Sequence, residues 1–148
     1  MKSNQNNLLS RRNFVKSTTL ATTGLLSASI PVGAMANVNG NKKLKIALVG
    51  CGGRGTGAIV QALQADENTE LVAMADAFKD RVEKSLKAVQ EHFDGVMKIK
   101  IKPKNLFSGF DAYKKAIDLA DVVILTTPPG FRPCHFEYAI ENGKHVFM

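Results

Sequence analysis

Gly50, Gly52 and Gly55 fall in the spacing G-x-G-x-x-G within Gly50-Cys51-Gly52-Gly53-Arg54-Gly55, and Asp76 follows 21 residues after the last of them. Each of these residue types has a task in binding a phosphorylated ligand. A glycine at position 50 permits a tight turn, one at 52 lets the backbone approach a pyrophosphate, and one at 55 lets a following helix pack closely on a strand. Cys51, Gly53 and Arg54 complete the turn, Arg54 either adding a charge-assisted contact to the anion or facing solvent. A carboxylate about 20 residues further on accepts hydrogen bonds from ribose hydroxyls and repels a 2'-phosphate.

Such a turn is informative only between a strand and a helix. The apolar run Leu44 to Val49 reads as a buried strand leading straight into the glycines, and Ala58, Ile59, Ala62 and Leu63 then recur at helical spacing. A polar break at Asp66-Glu67-Asn68 precedes a second strand, Thr69 to Ala75, with Asp76 at its carboxyl end. Val82, Leu86, Val89 and Phe93 mark a helix that begins near Lys79 and stops at Asp94-Gly95. Alternating lysines from Met97 to Lys104 predict an outlying strand whose charges guard its edge. Asp111 is expected to cap a short helix through Asp118, with Phe107, Phe110 and Tyr113 around its start, where core packing is favoured over a stacking platform. Val122 to Leu125 makes the next buried strand, and Thr126-Thr127-Pro128 lies at its carboxyl end, facing the same crevice as the glycine turn. A helix from Phe131 to Glu141, a stop at Gly143 and a strand from His145 to Met148 complete the pattern.

The fold class is therefore α/β, a Rossmann-type doubly wound parallel sheet over 44–148, and the ligand is a dinucleotide. Asp76 favours NAD, while Lys79 and Arg81 leave NADP open should they turn inward. The other reading of Asp76 is a cap for the helix at Lys79.

A formal charge of +7 raises nucleic acid as a partner, but Lys2, Arg11, Arg12 and Lys16 supply four of those charges and no acid precedes Asp66. The remainder is scattered, which argues against a phosphate-backbone interface. Cys51 and Cys134 are the only cysteines; a packed cysteine in the turn is favoured over a disulfide, and no ligand spacing for zinc is present. Residues 1–36 read as an export signal. Ser10-Arg11-Arg12-Asn13-Phe14-Val15-Lys16 matches the twin-arginine type, with an ordinary secretory signal as the alternative, and Ala34-Met35-Ala36 offers a cleavage site. The mild run Thr18 to Ile30 is too short for a stable membrane span, and residues 37–43 form a polar linker. The expected location is periplasmic or otherwise exported.

From Lys45 to Met148 the chain resembles the N-terminal domain of the glucose-fructose oxidoreductase and inositol dehydrogenase family, Gfo/Idh/MocA. The resemblance rests on Ile46 to Gly55, Asp76, Thr127-Pro128, Ala139 and Gly143-Lys144-His145-Val146. It implies an oxidoreductase that moves hydride between NAD or NADP and a sugar, polyol or related carbonyl, with a second α/β domain holding the substrate and self-association left open. The alternatives to that reading are an NAD-retaining glycoside hydrolase and a non-catalytic dinucleotide-binding protein. Where the family often carries a histidine five residues after the Thr-Pro-Asn threonine, this chain has Arg132, and His135 is expected to be a packed residue. The family's Glu-Lys-Pro motif would begin just after Met148, so no catalytic residue is assigned within the chain, and the dinucleotide domain is expected to be incomplete at its C-terminus.

Overall fold

The computed structural model describes residues 42–93 and 98–148. The expected signal segment, most of the linker and the Asp94-Gly95 stop lie outside the described residues. Among the described residues five strands and four helices alternate: β1 Leu44–Val49, α1 Gly53–Ala65, β2 Thr69–Asp76, α2 Lys79–His92, β3 Leu106–Ser108, α3 Ala112–Asp118, β4 Val122–Leu125, α4 Arg132–Glu141 and β5 His145–Phe147. All pairings are parallel, in the order β3-β2-β1-β4-β5. The chain winds outward from β1 to β3 and then returns to the other side of β1 for β4. That reversal opens a crevice at the carboxyl ends of β1 and β4, where ligands bind in sheets of this kind.

The near-continuous apolar strands follow from burial on both faces. Ile46, Leu48, Leu71 and Met74 project to one side and pack with Ile59 and Leu63 of α1 and Val82 and Val89 of α2. Ala47, Val49, Ala73 and Ala75 project to the other, against Ala112, Ala116 and Ile117 of α3 and Ala139 of α4. The β1–β2 register shifts between Ile46 and Ala47, so Val72 is bulged out of the ladder.

That bulge explains where the expected strand at 97–104 departs from the structure. Ile99 forms a single bridge to Leu71, and the ladder then stops. The carbonyl of bulged Val72 accepts the Asn105 side-chain amide at 3.1 Å, and Pro103, which has no N–H to give, opens a short 3-10 turn, Pro103–Asn105. The strand proper is Leu106–Ser108. Two of the lysines have partners instead of guarding an edge. Lys98 donates to the carbonyls of Leu63 and Asp66 at the end of α1, and the Lys100 ammonium lies 3.1 Å from the Glu70 carboxylate.

Asp111 also differs from expectation. It occupies the residue before α3, but its carboxylate pairs with the Lys114 ammonium at 2.9 Å and caps no backbone N–H. This pairing holds the Asp111 carboxyl below its usual range. The end of α4 is as read: Gly143 takes φ +65°, and the N–H of Lys144 returns to the Ala139 carbonyl at 2.9 Å.

Candidate functional site

A cleft of about 590 Å³ lies at the carboxyl ends of β1, β2 and β4. Gly50, Gly52, Arg54, Asp76, Thr126, Thr127 and Pro128 all line it. Three other residues of the expected turn do not. Cys51 and Gly53 border a shallower groove between α1 and α2, and Gly55 is buried beneath the turn.

The three motif glycines stand in three different settings. Gly50 has φ +99°, and a Cβ there would meet the backbone of Thr126 and Thr127 at 2.8 Å. At Gly55 a Cβ would collide with the carbonyl oxygen of Gly50, which is the close strand-to-helix contact expected of the third glycine. At Gly52 a Cβ would meet only an Arg81 guanidinium nitrogen at 3.9 Å. The fold itself therefore does not demand glycine at 52; the open space in front of it suits an approaching ligand. Gly52 caps α1 without a side chain, and no acidic residue occupies the first turn. The N–H groups of that turn and the positive end of the helix dipole are left for an anion.

Asp76 joins the turn to the end of β2. One carboxylate oxygen accepts the Cys51 N–H at 2.7 Å and the other accepts the Phe78 N–H at 3.0 Å. It is not the cap of α2, whose preceding residue is Phe78 and which has no side-chain cap. Each oxygen keeps a further lone pair, so the group can still accept ribose hydroxyls. Of the two basic residues beyond it, Arg81 lines the cleft with its guanidinium 5.5 Å from the Phe78 ring, while Lys79 turns to Glu83 at 3.6 Å.

The aromatic rim departs from the favoured reading of the sequence. Phe110 was expected in the core but is 72% exposed, because Gly109, at φ +110°, turns the chain outward before α3. Its ring stacks on Phe131, centroids 6.1 Å apart, and Phe78, also exposed, lines the same cleft. Three exposed phenylalanines around one cleft make a surface suited to a flat heteroaromatic ring. Phe107 and Tyr113 pack against the core as expected.

Arg132 and His135 brace the β4 loop. The Arg132 side chain donates from Nε to the Thr127 carbonyl at 2.7 Å, and Thr127 Oγ1 lies 3.1 Å from His135 Nδ1. The imidazole is buried against the Tyr113 ring at 4.1 Å, and burial pulls its pKa below the ordinary value. Cys51 and Cys134 are both free thiols, the first buried and the second exposed. Burial first, then the nearby Asp76 charge, pushes the Cys51 thiol up to about 12, which keeps it protonated and unreactive. Among the described residues no cluster of His, Cys, Asp or Glu is arranged to hold a metal, and no helix is long and apolar enough to cross a membrane.

The family model for the N-terminus of dihydrodipicolinate reductase matches residues 44–148, the whole span of the sheet and its helices. The chain belongs to that family. This domain family is further placed by solved structures. Scyllo-inositol dehydrogenase from Lactobacillus casei, solved with NAD(H) and scyllo-inositol, is 26% identical with a TM-score of 0.50 over 72% of this chain and 27% of that one. An oxidoreductase from Thermotoga maritima, 23% identical with a TM-score of 0.52 over 71% of this chain and 29% of that one, shares the fold. The chain thus spans under a third of the length of these proteins. No curated protein matches it. The structural relatives are oxidoreductases of the Gfo/Idh/MocA type, in agreement with the resemblance read from the sequence. Residues 44–148 are a Rossmann-like dinucleotide-binding domain, and the Lactobacillus casei relative was solved with NAD(H).

Proposed function

We propose that this domain serves an exported oxidoreductase that binds NAD in preference to NADP and acts on a sugar, polyol or related carbonyl. The observation that carries the cofactor reading is the placement of Asp76 in one cleft with the uncapped start of α1, so that a ribose acceptor and an anion site lie side by side. Gly52 and the first-turn N–H groups hold the pyrophosphate, Asp76 the adenosine ribose, and the rim of Phe78, Phe110 and Phe131 the adenine. Arg81 and Arg54 add positive charge on the cleft wall. The bound nicotinamide supplies hydride chemistry; the residues described here bind and orient it and none of them moves a proton. The inositol ligand of the Lactobacillus casei relative supports a polyol-like substrate.

Export by the twin-arginine route rests on Arg11-Arg12 with Phe14 and Lys16. That route carries folded proteins, so the cofactor is loaded before translocation. The test is to purify the protein from the exported fraction, denature it and identify released nucleotide by mass spectrometry. Stoichiometric NAD is the expected result; NADP in its place overturns the role given to Asp76. Replacing Arg11-Arg12 with two lysines should leave the protein in the cytoplasm, and continued export would overturn the twin-arginine reading.

A further inference from the structure

The anion-binding turn is gripped from both neighbouring strands. On the β2 side, the Gly50 N–H donates to the Ala75 carbonyl at 2.8 Å and the Cys51 N–H to Asp76 at 2.7 Å. On the β4 side, the Thr126 N–H donates to the Val49 carbonyl at 2.9 Å, and the Thr126 hydroxyl donates to the Gly50 carbonyl at 2.7 Å. The same hydroxyl sits where a Cβ on Gly55 or Gly50 would intrude, at 2.5 and 3.0 Å. It therefore fills the space left by both glycines and fixes the one carbonyl that a left-handed Gly50 would otherwise be free to swing.

We infer that Thr126 is a positioning residue for phosphate binding. Acting through Gly50, its hydroxyl sets the direction of the turn that leads into the N–H groups of α1, and it need not touch the ligand. Preorganised donors bind an anion without the cost of ordering them at the moment of binding. The residue type is selective for this: valine keeps the shape and loses the donor, whereas serine keeps the donor and loses the methyl group. The inference rests on the dinucleotide reading above, and the ligands for its test are chosen to separate the two.

The full chain and its Thr126→Val, Thr126→Ala and Thr126→Ser variants are titrated with NAD, ADP and adenosine, with thermal unfolding measured alongside. Adenosine reports the ribose and adenine contacts alone, and ADP adds the phosphates. The expected result is that Val and Ala weaken NAD and ADP by about tenfold, the effect of one hydrogen bond. Adenosine binding stays within about twofold by the same reasoning, and Ser restores ADP affinity. The alanine variant keeps the test valid if the valine methyl is crowded out of the fold. Equal losses for adenosine and ADP would mean a merely structural threonine and overturn the inference, as would ADP affinity unchanged in Val and Ala. A parent chain that binds neither NAD nor ADP would overturn the dinucleotide reading and the inference with it.

Discussion

Substituting alanine for Gly52 and for Gly55 separates what the ligand requires from what the fold requires. Gly52 has φ −79° and ψ 180°, a conformation open to any L-residue, and an added Cβ finds its nearest neighbour at 3.9 Å. Alanine is a poorer N-cap than glycine by roughly 0.5–1 kcal/mol. It recovers roughly 0.4–1 kcal/mol by restricting the unfolded chain. The net change in stability for Gly52→Ala is therefore within about 1 kcal/mol. At Gly55 the same Cβ runs into the Gly50 carbonyl, a backbone atom held by its neighbours, so Gly55→Ala costs about 3 kcal/mol by overpacking. For the ligand the order reverses. A methyl group at 52 stands where the pyrophosphate must approach and removes at least one hydrogen bond to a charged group, worth about 1.5–3 kcal/mol. NAD affinity should fall on the order of 10- to 100-fold. Urea unfolding and calorimetric titration with NAD on the two variants provide the check. The reasoning fails if Gly52→Ala binds NAD as the parent does, or if it destabilises the protein as much as Gly55→Ala.

Asp76→Asn should weaken NAD by about tenfold and narrow the preference over NADP, because an amide cannot face both the Cys51 and Phe78 N–H groups as an acceptor; competitive titration of the two nucleotides measures it, and an unchanged ratio would remove Asp76 as the discriminator. Under native conditions near neutral pH a thiol reagent should modify one cysteine quickly, Cys134, and reach Cys51 only on unfolding; peptide mapping that finds Cys51 modified in the folded protein would contradict its burial. His135 has a folded pKa below 6.5, so the unfolded chain takes up its proton first. Its contribution to stability is complete above that value and is lost as pH falls through it toward the folded pKa. Denaturant unfolding between about pH 7.5 and 5 should show this loss, with a shallower slope in His135→Gln; equal slopes would show that another group is responsible.

What the sequence made legible was local. The strand, glycine turn, helix and second strand follow one another within about 30 residues, the length of one βαβ unit, and the period of the apolar residues places each of them. Asp76 was readable for the same reason, since the length of α1 and β2 fixes where a carboxylate emerges. The loop at Thr126 was readable from the strand that precedes it. What was hidden depends on neighbours distant in the chain. Nothing near Met97 to Lys104 tells that Val72 bulges and ends the ladder; that is a property of the β1–β2 register. Phe110 reads as a core residue because large aromatics usually are, and only the turn at Gly109 exposes it beside Phe131. The grip of Asp76 and Thr126 on the turn joins residues 25 and 76 apart, and no spacing rule reaches that far.

The two faces of the sheet are built from different stock. Toward α1 and α2 the strands present Ile46, Leu48, Leu71 and Met74, while toward α3 they present Ala47, Ala73 and Ala75 beside Val49, met by Ala112, Ala116 and Ile117. On the first face the vulnerable change is a deletion, because a lost methylene leaves a void. On the second it is an addition, because a methyl group wedged between alanines pushes α3 off the sheet. Since α3 is flanked by Phe110 and carries Tyr113, such a wedge would also displace the aromatic wall of the cleft. Added bulk beneath α3 thus reaches the ligand through the aromatic wall.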